Sequence, residues 1–416
     1  MSTRSPSVLE DIRQIPVIDT HEHLENESMH TAKNILCDYT QHYLSSDLIS
    51  SGLAPHLIPA LSDDNLSILE KWNLLSPFWE NCRHTGYGRA LDLAVSLIYG
   101  FDQINRHTVE AINDEFLKLR STKGYSTKLL KKHGIDTVIN NIWRLDGNSE
   151  NGFYRYVTQI DDYVMFNFDE LRLDETKLEK MTGIQQWVEY CLEEIENDLI
   201  KRGAIAIKVA LAYKRELLFE DAPLSLAEKG FQSIRKKSAG ASPAHLKAAQ
   251  DYVLHSILRL ANDHGWILQV HTGYLEGNGG YISDTNPEKL SNLFNLYPNA
   301  HFDLFHMGYP YQAVLIALGK TFPNVRMNMC WTHILSPVAA KSSLYESLYT
   351  VPVNKLFAFG GDFRTFDGTI GHLEIARRNI AQVLSKCVED GLFDKKRAIQ
   401  IASKILYENP AEFYQV

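Results

Sequence analysis

Two histidines separated by one residue, His21 and His23, follow the apolar run at residues 15–19. Side chains of a β-strand alternate between its faces, so His21 and His23 project to one side while Glu22 points to the other. Two imidazoles on one face, at the carboxyl end of a short buried strand, supply half of a transition-metal site. The pair alone is a common pattern, and its meaning depends on the side chains that the fold brings to it.

Four further side chains with metal or acid–base chemistry end later apolar runs: Lys208, His271, His306 and Asp362. Barrel enzymes draw catalytic groups from the carboxyl ends of several strands, so these four are predicted to meet the histidine pair. Each also has a structural alternative. His271 and His306 would be core histidines, Asp362 a helix N-cap, and Lys208 a lysine paired with a carboxylate in the barrel mouth.

Polar and aromatic residues that follow the same runs are candidate substrate contacts. Arginine binds carboxylates with two parallel hydrogen bonds, so several arginines near one mouth favour a carboxylate or sugar-acid substrate. The alternative is that most of these residues are structural or lie on the rim. The candidates are Arg144, Tyr213, Arg215, Tyr274, Trp331, His333 and Arg364.

The elements that position these side chains are short apolar runs alternating with helical stretches, a pattern typical of βα units and a parallel sheet. The predicted strands are residues 17–19, 136–140, 163–166, 205–209, 266–271, 301–306, 325–329 and 356–362. Helical patterns occupy residues 178–202, 243–264, 287–296, 311–322 and 371–390. Eight strands with intervening helices predict an α/β fold, a (β/α)8 TIM barrel.

The interval from Leu24 to His133, between the first two strands, is far longer than a usual βα connection. It reads as mostly helical, for example at residues 60–75 and 90–99. Since no Pro/Gly/Ser-rich linker separates it, we expect a helical insertion at 24–133 that covers the catalytic face. Residues 1–416 are therefore predicted to form a single domain.

Composition excludes several classes of protein. The chain has 416 residues and a formal net charge of −9, with no basic run interleaved with aromatics, which argues against a nucleic-acid partner. No apolar stretch approaches the roughly 20 residues of a membrane span, and no signal peptide is visible. Five scattered cysteines without a C-x-x-C favour a reducing, cytoplasmic setting. We expect a small-molecule substrate and allow for a homo-oligomer.

The order His-x-His, Lys, His, His, Asp at strands one, four, five, six and eight resembles the amidohydrolase superfamily. The surrounding residues are similar to its amidohydrolase 2 group, and Trp72 to Trp79 resemble uronate-isomerase-like members. The stretches that carry the likeness are residues 18–24, 269–273, 305–310 and 359–362. The resemblance implies a distorted barrel with one or two divalent metal ions, foremost Zn²⁺, with Mn²⁺ or Fe²⁺ as alternatives.

The resemblance also implies roles for the strand-end residues. His21, His23, His271 and Asp362 would form the metal site, with Asp362 also serving as general base. His306 would bind a second metal or stabilise an oxyanion. Lys208 would act as a carbamate ligand or, unmodified, pair with Asp362 or a substrate carboxylate. A site with one metal is slightly favoured.

Three functions remain open at this point. The first is a metal-dependent hydrolase acting on a C–N or C–O bond of a small polar, carboxylated substrate through a metal-activated water. The second keeps the metal but changes the reaction, to a decarboxylase or a uronate-type aldose–ketose isomerase. The third is a barrel that has lost catalysis and serves as a scaffold, which the intact ligand set disfavours.

Overall fold

The computed structural model describes residues 7–25, 33–40, 42–141, 152–173, 175–236 and 242–416. Its centre is one sheet of eight parallel strands whose spatial order follows the chain. The strands are β1 Val17–Glu22, β2 Ile135–Asn140, β3 Tyr154–Gln159, β4 Ala204–Val209, β5 Ile267–Val270, β6 His301–Leu304, β7 Val325–Asn328 and β8 Leu356–Phe357. Strands covered by helices on one face and by a filled barrel on the other need apolar residues throughout, which explains their nearly continuous burial.

The segment after β8 returns to β1 and joins the first and last strands. Thr20 N donates to Phe359 O at 3.2 Å, and Asp362 N donates to His21 O at 2.8 Å. The predicted (β/α)8 TIM barrel is therefore confirmed, and the segment that bears Asp362 runs beside the segment that bears His21.

The prediction for the third strand was wrong. Residues 163–166 do not form a strand, because Asp161–Met165 is a short helix and the strand at this position is Tyr154–Gln159. A short apolar run does not distinguish a buried strand from a buried helical turn. The true strand contains Arg155 and Gln159 and is only half-buried, which conceals its alternation.

Helices separate the strands and form the outer layer. In chain order they are α1 Val8–Arg13, α2 Ile35–Tyr39, α3 Tyr43–Ser50, α4 Leu57–Ala60, α5 Ile68–Cys82, α6 Gly86–Ala94, α7 Val109–Arg120, α8 Tyr125–Lys132, α9 Asp161–Met165, α10 Glu175–Lys180, α11 Ile184–Glu196, α12 Leu224–Arg235, α13 Pro243–His264, α14 Ser291–Leu296, α15 Gln312–Thr321, α16 Thr332–Leu335, α17 Pro337–Thr350, α18 Phe366–Glu389, α19 Lys395–Ser403 and α20 Asn409–Tyr414. None of the described helices is long and apolar enough to cross a membrane.

The described chain between β1 and β2 is mainly helical, with α2 to α8 joined by turns and short irregular segments. Its helices enclose an apolar cluster of their own, which includes Trp72, Trp79 and Phe116. Helix α5 begins with a capping box in which Ser67 and Glu70 exchange hydrogen bonds, which fixes its first turn. Helix α6 packs on α18 of the barrel, where Gly371 allows close approach to the Ala90 backbone, and Gly86 of α6 allows close approach to the Ile334 backbone of α16.

Candidate metal centre

Three side chains converge at the carboxyl end of the barrel. His21 and His23 come from the end of β1, and Asp362 follows β8. Asp362 Oδ1 lies 3.1 Å from His23 Nε2 and 3.7 Å from His21 Nε2. One possible ligand atom from each of the three residues lies within 4.8 Å of the other two. The shared face expected for the two histidines brings both to the same carboxylate.

A glutamine of β5 determines which nitrogen of His21 faces the site. Gln269 Nε2 donates to Thr20 O at 3.0 Å, so its Oε1 is the atom that lies 2.9 Å from His21 Nδ1. Because Oε1 only accepts, His21 Nδ1 carries the proton and Nε2 presents a lone pair. Outer partners of this kind orient metal-binding histidines.

The residues present fit a divalent cation. His21 Nε2 is fully buried and has no hydrogen-bond partner, a costly state for a polar atom unless a ligand completes it. Two imidazole nitrogens and one carboxylate oxygen are the ligands that Zn²⁺ and related ions take in catalytic sites, which leave further positions open. His21, His23 and Asp362 would hold the ion.

His271, the fourth predicted ligand, does not join this group of atoms. Its Nε2 lies 2.9 Å from Tyr274 O, and its Nδ1 lies 3.0 Å from His306 Nε2. His306 Nδ1 in turn lies 2.9 Å from Cys330 O. Both outer nitrogens face carbonyls and therefore donate, so the two facing nitrogens bring lone pairs together unless a proton or a cation lies between them.

His306 nevertheless belongs to the same centre as Asp362. Its Nε2 lies 3.9 Å from Asp362 Oδ2, and the two residues form a second possible ligand group with Cys330. Burial lowers the pKa of the His306 imidazole to about 4 and lowers that of His271 well below its usual range. Both imidazoles are therefore neutral at neutral pH, and the two facing nitrogens present lone pairs that a cation or a hydrogen-bond donor would satisfy.

Glu22, which points away from the histidine pair, holds the turn that carries Asp362. Its carboxylate accepts hydrogen bonds from Phe363 N at 2.6 Å and from Thr369 Oγ1 at 2.7 Å. Asp362 has a φ of 58°, a left-handed conformation that is uncommon outside glycine, although Asp adopts it more readily than most residues. The buried hydrogen bonds of Glu22 stabilise that conformation.

Asp19 holds the same turn from the other side. Its Oδ1 accepts from Gly361 N at 2.9 Å, and a Cβ built on Gly361 would lie 1.8 Å from Glu22 Oε1, so only glycine fits. Burial raises the pKa of Asp19 to about 7, and burial with the adjacent Asp19 charge raises that of Glu22 well above its usual value. The pair therefore retains a proton at neutral pH. Neither carboxyl is among the site residues predicted from the sequence, although both lie within residues 18–24, which carry the family likeness.

Asp362 itself is an anion suited to bind a cation. Burial acts to raise its pKa, but the hydrogen bond from His23 and the nearby imidazoles of His306 and His21 outweigh burial and hold the pKa well below the usual value. The carboxyl is consequently ionised across the neutral range, and it is a weak base while those imidazoles surround it.

Lys208 enters the barrel from the end of β4 and is only 2% exposed. Its ammonium lies 4.0 Å from the centroid of the Phe305 ring. Burial lowers its pKa, and the Asp362 carboxylate acts in the opposite direction. Among the described residues no carboxylate oxygen lies within 4.0 Å of Nζ, so neither expected ion pair is made within the chain.

Aromatic residues of the helical segment cover one side of the centre. Tyr43 donates its hydroxyl hydrogen bond to Asp362 O at 2.7 Å and stacks on Trp331 at 4.6 Å. Tyr87 also stacks with Tyr43, with ring centroids 5.1 Å apart, and its ring lies 6.4 Å from that of Trp331. Trp331, a predicted substrate contact, is fully buried in this stack and meets His306 edge to face at 5.1 Å. Tyr43 and Tyr87 lack a sequence signal, because their segment is remote from every strand end.

Two other predicted contacts lie beside His271. The Tyr213 ring is 4.5 Å from the His271 ring, and its hydroxyl accepts from Glu276 N at 3.1 Å. The Tyr274 carbonyl oxygen accepts a hydrogen bond from His271 Nε2, and the Tyr274 ring lies 5.7 Å from the Trp331 ring. Both residues are thus near the centre, where their contact with a substrate stays a prediction.

The remaining candidates divide into exposed and structural positions. Arg364 is exposed two residues after Asp362. Arg215 is already engaged, with Nη2 2.7 Å from Asp251 and its guanidinium over the Phe219 ring. His333 is fully buried, with Nε2 2.9 Å from Ala358 O. Arg144 lies outside the described residues.

The fold and the site together define a TIM-barrel protein with a candidate metal centre at the carboxyl ends of its strands. A model of the amidohydrolase family (Amidohydro_2) matches residues 179–416. That match covers more than half of the chain, including the strands that bear Lys208, His271, His306 and Asp362. The chain belongs to the amidohydrolase family, and the resemblance inferred from its motifs is confirmed.

Individual proteins show how far the similarity reaches. Protein fluG of Emericella nidulans is 32% identical over 154 residues, which are 36% of this chain and only 17% of that protein. A uronate isomerase from Thermotoga maritima superposes with a TM-score of 0.79 at 15% identity, covering 98% of this chain and 96% of its own. A protein described as a metal-dependent hydrolase from Lactobacillus casei gives a TM-score of 0.69 at 17% identity, covering 98% and 97%. At such identities the two structures show a common fold.

Proposed function

We propose that the chain is a metal-dependent hydrolase that cleaves a C–N or C–O bond of a small polar, carboxylated substrate. The observation that carries the proposal is the cluster of His21 Nε2, His23 Nε2 and an Asp362 oxygen, with the first atom buried and unpartnered. A divalent cation bound there, foremost Zn²⁺, would polarise a substrate oxygen and lower the pKa of a bound water.

The side chains around the cluster have different roles in proton transfer. Asp362 is ionised and would act as the general base that takes up the proton of the attacking water. His306 Nε2 lies 3.9 Å from Asp362 Oδ2 and 3.0 Å from His271 Nδ1, so a proton that Asp362 takes from the attacking water can pass through these imidazoles to the leaving group. Burial keeps these two imidazoles neutral at neutral pH, so each can accept a proton during the reaction and release it again.

The chain also offers groups to orient a carboxylated substrate. Arg364 is exposed next to the Asp362 turn, and the buried Lys208 ammonium has no carboxylate of the described chain within 4.0 Å. A buried cation without a partner is stabilised by an anionic ligand, so a substrate carboxylate that reaches Lys208 would supply the missing charge. Tyr213 borders the same space beside His271.

An aldose–ketose isomerase of the uronate type is the second candidate. The paired imidazoles of His271 and His306 favour it, because isomerisation moves a proton between neighbouring carbons and needs an acid–base pair next to the polarised carbonyl. The similarity to a uronate isomerase supports the scaffold for this reaction. Decarboxylation is a third outcome that the substrate test distinguishes.

The test begins with metal removal. The full chain is stripped with a chelator, dialysed and reloaded separately with Zn²⁺, Mn²⁺ and Fe²⁺, and bound metal is counted by elemental analysis. Each form is then assayed against N-acyl amino acids, lactones and uronates, with amine or acid release, ketose formation and CO₂ release as separate readouts. Acid or amine release restored by one metal supports the hydrolase, and ketose formation alone supports the isomerase.

Matched variants link the activity to the cluster. His23→Asn and Asp362→Asn are expected to lower metal content to below about a tenth of wild type, while the exposed His107→Asn and Asp102→Asn retain it. Wild-type metal content in both cluster variants would refute the site. Full metal content with no activity on any substrate would refute the reaction and leave the site standing.

A further inference from the structure

A cavity lies at the opposite end of the barrel from the metal centre. Its volume is about 580 Å³, and it opens beside the residues that precede β1 and β2. Small-molecule sites usually measure about 300–1,000 Å³, so the cavity is large enough for a metabolite. Its charged and imidazole lining residues are Arg13, Lys131, Lys132, His133, Glu374 and Arg377.

The lining is strongly cationic in a chain that is acidic as a whole, with a formal net charge of −9. Four of the residues are arginines or lysines, and Glu374 is the single carboxylate. Glu374 is already occupied, because Arg13 pairs with it and Arg378 Nε donates to it at 2.7 Å. Lys132 is exposed at the last turn of α8, and Lys131 lies over the Phe153 ring.

Arg377 is the unusual member of this group. Its side chain is 6% exposed, and its guanidinium donates to His133 O at 2.9 Å and to Ile15 O at 3.4 Å. Nε has no partner, and in the part of the chain that the structure describes no carboxylate oxygen lies within 4.0 Å of the guanidinium. A buried charge without an opposite charge is expensive.

His133 adds a second unpartnered atom to the same cavity. Its Nε2 is buried and has no hydrogen-bond partner. Burial lowers the pKa of the imidazole to about 4, so His133 is neutral at physiological pH and Nε2 is available for a hydrogen bond.

We propose that this cavity binds a phosphate group, held by Arg377 and His133 within the cavity and by Lys131 and Lys132 at its rim. A doubly charged phosphate matches the excess of cationic over anionic side chains better than a single carboxylate does. Guanidinium donors and lysine ammonium groups are the usual partners of phosphate oxygens. The volume exceeds that of the free ion, which favours the phosphate monoester of a small metabolite.

The experiment uses calorimetric titration of the full chain at constant ionic strength with inorganic phosphate and, separately, with glycerol 3-phosphate and glucose 6-phosphate. Saturable binding of a monoester is expected. Binding of inorganic phosphate alone would identify the free ion as the ligand. Absence of saturable binding for all three, up to about 20 mM, would overturn the proposal.

Two variants and one control locate the binding. Lys131→Ala/Lys132→Ala changes surface residues and is expected to weaken phosphate binding at least tenfold, and Arg377→Gln more strongly. Lys128→Ala removes the same charge from an exposed position of α8 that does not line the cavity, and should leave binding unchanged. Equal weakening by Lys128→Ala, or wild-type binding in the double variant, would contradict the site whether or not Arg377→Gln folds.

Discussion

Replacement of Glu22 by alanine tests whether this carboxyl positions the Asp362 turn. The substitution removes the acceptor of two buried donors, Phe363 N and Thr369 Oγ1, which lie 2.6 and 2.7 Å from the carboxylate. Each buried donor left unsatisfied costs about 1–3 kcal/mol. The free energy of unfolding should therefore fall by roughly 2–6 kcal/mol.

The same change should weaken metal binding. Asp362 is held in a left-handed conformation, and without Glu22 the turn can relax and carry the carboxylate away from His21 and His23. Loss of an outer partner of a metal ligand typically costs about 10–100-fold in affinity. The loss of zinc affinity is measured by competition with a chromophoric chelator. The measurement is made at a temperature where circular dichroism shows that the variant is folded.

Glu22→Gln is the informative companion. Because Asp19 and Glu22 retain a proton between them, glutamine can donate to Asp19 and still accept from one of the two donors. We expect it to recover most of the stability and affinity, while the exposed Glu110→Ala changes neither. Wild-type affinity in Glu22→Ala would refute the positioning role. Equal damage from glutamine and alanine would show that the negative charge matters and that the hydrogen bonds do not.

Three further perturbations have defined outcomes. Tyr414→Phe removes the hydroxyl that accepts from Gln269 Nε2 at 2.9 Å and so loosens the glutamine that orients His21. Zinc affinity, measured by the same chelator competition, should fall by about 10-fold. Unchanged affinity would contradict this role. Removal of metal from the wild-type chain with a chelator should lower Tm, and added Zn²⁺ should restore it, because a ligand that binds the folded state stabilises that state. Scanning calorimetry measures the shift, and no shift would show that the cluster binds no metal. Burial lowers the pKa of His333 to about 4, so the unfolded chain binds the extra proton and stability falls by up to about 3 kcal/mol as pH drops from 6.5 towards 4. Urea denaturation should show a shallower pH dependence for His333→Gln, and an identical dependence would exclude this histidine as a source.

The candidate site could be predicted in part because local periodicity already places side chains. Alternation within β1 puts His21 and His23 on one face, and parallel strands bring Asp362 to the same end of the barrel. The third strand was missed because its residues are half-buried and polar. Local pattern did not reveal Tyr43 either, since its contact with Asp362 O joins positions 319 residues apart.

By itself the sequence determined the barrel and the strand ends that supply chemistry, since these follow from short-range patterns of apolar and polar residues. The family resemblance came from the particular residues of the strand-end motifs. Only the tertiary structure decided what each side chain does there. The His271 ring faces Tyr274 O and His306, so its nitrogens lie outside the cluster of His21, His23 and Asp362, and its role as a metal ligand stays a prediction. The hold of Glu22 on the Asp362 turn likewise exists only once β1 and the segment after β8 lie side by side. Hydrogen bonds between remote segments depend on distances that no local pattern encodes.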